Sequence, residues 1–568
     1  MRSSYRLPLA APVLALLFAA CAAPDPAVVA DAIYSGGAII TLNDSQPSAE
    51  ALAVKDGAII AVGSKAQVEQ AHKGKATTMV DLAGRTLVPG FVDGHVHFLG
   101  LGAQAVGANL LAPPDGGVNT VDDVVAALQE FAKGPDVERT GWIFGMGYDD
   151  ALLGRHPTRE DLDKVSMDIP VMAIHISGHF SAVNSAGLRK IGFTAATKDP
   201  EGGVIRRIAG SREPNGVLEE MAAIPALFAA VSPTTQANKD YYAERALALA
   251  KSFGYTTISE GRAFASNHED LASFATRGLL DIDVTSYIDY VDRRVITPEW
   301  FSRSYRNHYR IAGMKVTLDG SPQGRTAWRT QPYLIPPDGQ RAGYRGYPAI
   351  PDVNVVASLI DEAYLKGWPV HVHANGDAAI DQMITATRRA QTTHGPAERR
   401  TTLIHGQFLR QDQIPQLAEL QIVPSLFAMH TFYWGDWYDS IIGPEQAQRI
   451  SPLRSVLNAG LIANSHTDAP VALPNLLQVM WASVNRVSRS GKVMGPDERL
   501  TPLEALKAIS LWGAYGHFEE DRKGSLEPGK VADLVILSDN PLTIAPMQIN
   551  SIRVMETIKD GKTVFVRQ

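Results

Sequence analysis

Within LVPGFVDGHVHFLG, residues 87–100, an apolar run ends at Asp93-Gly94 and then sets His95 and His97 two residues apart. Two imidazoles on one face at the end of a β-type run suit a divalent metal, provided other segments bring further ligands to the same place. With 15 His in 568 residues the doublet alone is weak, but other segments repeat the pattern. AGMKVTLDG puts Lys315, Thr317 and Asp319 on one face of an alternating run, and PVHVHANGD does the same with His371 and His373. TLIHGQ ends on His405, and NSHTDAP carries His466 and Asp468. A metal held by such groups lowers the pKa of a bound water toward neutrality and polarises a carbonyl, which is the chemistry of hydrolysis.

These residues need elements that converge on one point. The middle of the chain, about 89–515, alternates strand-like and helix-like runs, as in YYAERALALAKSFG followed by YTTISEG. That alternation implies parallel strands joined by crossover helices. Eight strands are legible: LVPGFVDGHV, YTTISE, DIDVTSYI, AGMKVTLDG, PVHVHANGD, TLIHGQF, QIVPSLF and LIANSHTDA. A ninth, PVMAIHI at 170–176, falls in a long stretch between the first two. The expected fold is α/β: a (β/α)8 TIM-like barrel with a subdomain inserted at about 101–240. A doubly wound sheet is the competing architecture. In a barrel the active site lies at the C-terminal ends of the strands, and the polar residues above fall at those ends in strands one, four, five, six and eight.

Residues 31–88 and 516–568 have a different texture, short β-rich runs separated by turns. Lys55-Asp56-Gly57 and Lys559-Asp560-Gly561 read as hairpin turns. Both chain ends are expected to build one small β-sandwich domain. The net charge of −7 without basic runs speaks against nucleic acid. At the N-terminus, Arg2 and Arg6 precede an apolar stretch broken by Pro8 and Pro12. It reads as a signal peptide over 1–20, followed by a tether over 21–30. Cys21, the single cysteine, follows Phe18-Ala19-Ala20 and resembles a lipobox cysteine. The expectation is an exported bacterial lipoprotein at the outer membrane facing the periplasm, or otherwise a periplasmic or secreted protein. Lipidation of Cys21 would be its sole membrane contact. No thiol then remains for a disulfide or a nucleophile.

Taken together, VPGFVDGHVH, GMKVTLDGS, HVHANGDAAID, LIHGQF, HTDAPV and GSLEPGKVADLVILSDNP resemble the amidohydrolase superfamily. The closest branch is the amidohydrolase-3 group, which includes enzymes deformylating N-substituted formamides. The likeness covers nearly all of 31–568. It implies His95, His97, His373, His405 and Asp468 as metal ligands. It also implies Lys315 as a ligand carboxylated by CO2, its carbamate bridging two metals, with an unmodified Lys315 beside a single metal as the alternative; the expected cofactor is a divalent metal, one or two zinc ions. Asp468 is then the catalytic acid–base. The expected activity is metal-dependent hydrolysis of a non-peptide C–N bond in a small molecule. The alternatives are an ester, lactone or phosphoester substrate, or a non-catalytic binding protein that kept the fold. His179, His371 and His466 are candidate substrate-binding residues, with hydrogen bonding behind the ligands the stronger expectation for the last two. The run FYWGDWY at 432–438 is a candidate pocket wall. A small-molecule substrate is the expected partner, with a homodimer as a further expectation.

Overall fold

The computed structural model describes residues 28–178, 180–200, 203–337 and 340–568. The leader, Cys21 and His179 lie outside the described residues.

Eight parallel strands form the central sheet in sequence order: Phe91–Val92, Tyr255–Ala263, Asp283–Asp289, Tyr309–Thr317, Val370–Ala374, Thr402–His405, Val423–Leu426 and Asn464–Ser465. They fall in the eight segments expected. Their β-branched and apolar residues are buried on the outer face by helices such as Val353–Lys366 and Asp377–His394, one core running through both layers. First and last strands are too short to pair along their length, and they meet just beyond their ends. Asp468 N donates to His95 O at 3.1 Å, and His97 N donates to Ala469 O at 2.8 Å. The curled sheet is thereby closed at its C-terminal rim, as a TIM-like barrel requires.

The stretch between the first two strands holds a sheet of its own. Gly203–Arg207, Pro214–Glu220, Phe180–Val183, Val171–His175, Ile143–Tyr148 and Ala108–Asn109 lie side by side in that order. The ninth strand-like run thus belongs to this sheet and not to the barrel. The helix Gln236–Ser252 returns the chain to the barrel by packing on the helix Phe98–Val106, where Gly102 lets the two backbones approach.

A third sheet joins the chain ends. Leu534–Leu537 pairs antiparallel with Thr86–Pro89, with Val535 opposite Val88. Lys562–Val566 and Val554–Lys559 extend it on one side, and Ala32–Ile40, Ser48–Lys55 and Ala58–Gly63 on the other. The hairpin at Lys55-Asp56-Gly57 closes in two residues, Asp56 and Gly57 both at positive φ (48° and 78°), which matches the right-handed twist of its strands.

Candidate metal centre

All six residues expected as ligands line one cavity of about 280 Å³ at the C-terminal rim of the barrel. His95 and His97 follow the first strand, Lys315 and His373 sit within the fourth and fifth, His405 ends the sixth and Asp468 follows the eighth. Ligand atoms of His95, His405 and Asp468 all lie within 4.8 Å of one another. Asp468 Oδ1 is 3.7 Å from His95 Nε2 and 3.6 Å from His97 Nε2, and Oδ2 is 3.9 Å from His405 Nδ1. Lys315 Nζ is 3.0 Å from His95 Nε2. His373 joins at the edge, its ring centroid 4.6 Å from that of His405.

The backbone is bent to bring these groups together. His405 and Asp468 adopt positive φ, 74° and 53°, a conformation costing a non-glycine residue on the order of 1–3 kcal/mol and held only where surroundings impose it. For Asp468 the surroundings include the rim bond to His95 O. Asp93 organises the same junction. Its carboxylate accepts from Thr467 Oγ1 at 2.6 Å, Tyr255 Oη at 2.7 Å and the His95 amide at 3.0 Å. Asp319 holds the other side, accepting from the amides of Trp328, Asn375 and Gly376. Asp377 accepts from the Thr330 amide and from Arg410.

Burial sets the charge states. Loss of hydration holds the His95 and His405 imidazoles well below their ordinary range, helped by neighbouring cations and imidazoles. The same burial brings Lys315 down to about 7. Burial also opposes protonation of His97, but hydrogen bonds to Asp468 and Glu260 outweigh it and raise that group to about 9. Neutral imidazoles offer lone pairs, an amine titrates near neutrality, and two carboxylates favour a positive charge at this point. This donor set fits a divalent cation. His95 is also placed by shape. Its Nδ1 is buried without a hydrogen-bond partner among the described residues, and its ring lies against Gly261, where a Cβ would come within 2.2 Å of Cε1.

Several residues expected at the pocket are placed elsewhere. His371 shares a face with His373 but sits a layer deeper in the barrel interior, stacked on Tyr287 at 3.4 Å and 1% exposed. His466 is fully buried behind His405, bonded to its Nδ1 at 3.1 Å and to Ser425 at 2.9 Å. Neither lines the cavity, so substrate contact is corrected for both: His466 supports the His405 ring, and His371 fills the core. The aromatic run 432–438 lies on the helix Met429–Ile442, and none of its residues lines the cavity. Phe432, Tyr433 and Trp434 are buried, and Tyr433 donates to Asp115 of the insert.

Glu260, His430 and Arg262 were not singled out from sequence. Glu260 lies in the second strand where its register with the third shifts, its Oε1 3.3 Å from His97 Nδ1 and its Oε2 accepting from the Leu99 amide at 2.9 Å. It orients His97 in the manner of a carboxylate partner to a metal-bound imidazole. Only the pairing of this strand with the residues after the first strand shows the contact. His430 and Arg262 also line the cavity, His430 from the helix Met429–Ile442 and Arg262 from the second strand beyond its register shift, and no local pattern encodes either placement.

A sequence profile described as "Amidohydrolase family" matches residues 78–565. The chain is 28% identical to Protein LONG AFTER FAR-RED 3 of Arabidopsis thaliana, the match covering 95% of this chain and 93% of that protein. It is 26% identical to N-substituted formamide deformylase of Arthrobacter pascens, over 93% of this chain and 97% of that one. Among solved structures, an uncharacterized metal-dependent hydrolase from Pyrococcus horikoshii OT3 superposes with a TM-score of 0.72 at 23% identity, over 91% of this chain and 99% of that one. That last likeness is one of fold.

Proposed function

This chain belongs to the amidohydrolase family, and on that premise we propose that it hydrolyses a non-peptide C–N bond in a small amide, N-substituted formamides being the first class to test. At the coarser level it is a metal-dependent hydrolase. The observation that carries the finer reading is the convergence of Asp468, the imidazoles of His95, His97 and His405 and a near-neutral Lys315 at one end of one small cavity.

His95, His97, His373, His405 and Asp468 would hold the metal, with Lys315 as a carbamate. A bound divalent ion supplies Lewis acidity and lowers the pKa of water at the site. Carbamate formation needs the free amine, whose lone pair attacks CO2 with loss of one proton from nitrogen. Burial of Lys315 supplies that free amine at neutral pH. Asp468 faces His95, His97 and His405 at once. It is placed to accept a proton from the attacking water and deliver it to the departing nitrogen, which leaves as a neutral amine. Glu260 keeps the His97 ring in register, and Phe427 and Val471 give the cavity an apolar wall. The relative that deformylates N-substituted formamides supports an amide substrate.

Turnover of a matched panel of formamides, other amides, esters, lactones and phosphoesters by zinc-, manganese- and cobalt-loaded protein tests this. Amide cleavage that disappears with chelation and returns with metal is expected. Cleavage confined to esters, lactones or phosphoesters would overturn the C–N assignment. Export and lipidation at Cys21 belong to the same proposal. Labelling with a radioactive fatty acid should mark the wild type and not Cys21→Ser, and an unlabelled wild type would remove the anchor.

A further inference from the structure

The metal centre leaves one charged side chain of its cavity without a task. Among the described residues that line it, Arg262 is the one permanent cation, because a guanidinium stays protonated and offers a metal no lone pair. Arg262 lies in the second barrel strand, two residues beyond Glu260. Its amide donates to Glu260 Oε1 at 3.4 Å, on the carboxylate that orients His97. Its Nε donates to Asp289 Oδ2 at 2.7 Å, and Asp289 stands opposite Lys315 in the pairing of the third and fourth strands. The arm is thus tied across the second and third strands, between the first, which leads into His97, and the fourth, which carries Lys315.

Asp289 takes only the Nε edge. It is fully buried, and its Oδ1 accepts from the Val291 amide at 3.1 Å. The terminal nitrogens of Arg262 make no hydrogen bond among the described residues, and they form the end of the guanidinium whose parallel donors match the two oxygens of a carboxylate. Two carboxylates also line the cavity, and both are engaged elsewhere. Asp468 faces the imidazoles of His95, His97 and His405, and Asp319 accepts from three backbone amides. Distance is not an obstacle. A cavity of about 280 Å³ equals a sphere roughly 8 Å across, so a charge on a small amide held at the metal centre is attracted by the guanidinium without having to touch it.

We propose that Arg262 recognises an anionic group of the substrate, and that the chain prefers small amides carrying a carboxylate a few bonds from the scissile C–N bond, N-formyl amino acids being the simplest. This names the substrate class of the amide reading above and rests on it. Hydrolysis of such a compound releases formate and an amino acid, and the recognised carboxylate passes through unchanged.

The test uses the full metal-loaded chain with N-formylglycine and N-formylglycinamide, which differ by a carboxylate against a carboxamide. The wild type should turn over the acid with the higher kcat/KM, and the excess should shrink as salt rises from about 0.01 M to about 1 M. Arg262→Gln should cut the acid-to-carboxamide ratio roughly tenfold, mainly through KM, and Arg262→Lys should restore part of it as a point charge. A residue that serves only as counter-charge to Asp289 would lower both rates alike, and an unchanged ratio in Arg262→Gln would overturn the proposal. Calorimetry with methanesulfonylglycine and methanesulfonylglycinamide, which lack a carbonyl to attack at that nitrogen, reads the anion site apart from the chemistry. Tighter binding of the acid, lost in Arg262→Gln, with neither formamide cleaved, would support the anion site and overturn the amide reading. Equal binding of both by the wild type would overturn the anion site itself.

Discussion

Lys315 carries the most specific chemistry of any single residue in the centre. Its amine lies 3.0 Å from a neutral imidazole and titrates near neutrality because it is dehydrated. Lys315→Ala is expected to reduce bound metal per chain and to cut kcat/KM by more than about 100-fold, with partial rescue by short carboxylic acids standing in for the proposed carbamate. Elemental analysis showing full metal content in this variant would contradict the ligand role. Glu260→Gln keeps the shape but removes the charge behind His97, so metal affinity should fall about 10- to 100-fold while the fold is retained. The raised His97 pKa has its own signature. A metal must displace a proton held up to about pH 9, so apparent affinity should climb with pH and level off above that value. Calorimetry in buffers of different ionisation heat should count that proton at pH 7.

At the level of elements, the strands and the polar residues at their ends were legible for the same reason. A strand has period two, so His95/His97 and His371/His373 each declare a shared face. Period two does not declare depth. One pair straddles the floor of the cavity, with His373 at its wall and His371 in the packed interior. Nor does it report what a neighbouring strand brings, which is why the Glu260–His97 contact needed three dimensions. The ninth strand-like run falls in the insert by position, and its sheet follows from its pairing with Ile143–Tyr148 on one side and Phe180–Val183 on the other. Gly261 shows how tightly one strand constrains a ligand on another. Gly261→Ala would drive a methyl group into the His95 ring. It should destabilise the protein by about 1–3 kcal/mol and lower metal occupancy, read by thermal unfolding with and without metal. An unaltered transition in both states would contradict the contact.

At the scale of the whole molecule, a buried charge network locks the terminal sheet to the barrel. Asp283 of the third barrel strand meets Lys523 at 2.5 Å and Lys559 at 2.8 Å, and Lys559 meets Asp533 at 3.0 Å. Glu519 extends it, facing Lys523 at 3.3 Å and Arg310 at 2.7 Å. Asp283→Asn would leave two buried ammonium groups short of a counter-charge, with an expected loss of about 3–5 kcal/mol in urea unfolding. Acid should reach the same network. Burial opposes the Glu519 carboxylate, but Lys523 and Arg310 overcome this and hold its pKa at about 2, below the ordinary 4.5. A folded-state pKa that is depressed gives stability that is present above pH 4.5 and lost as pH falls through 2. The contribution is on the order of 3 kcal/mol. Unfolding free energy that stayed flat across that window would exclude it.

The pairing of Thr86–Pro89 with Leu534–Leu537 has a consequence for the order of synthesis. Its two strands leave the ribosome about 450 residues apart, a gap of roughly 20–90 s at ordinary elongation rates. Throughout that interval the early strand presents an open edge of apolar residues, Leu87 and Val88 among them. The nascent chain therefore depends on a holdase, or on slow collapse elsewhere, until its last segment arrives to seal it. Stop codons placed between 516 and 533 should yield aggregated protein even though every residue of the candidate metal centre has been translated.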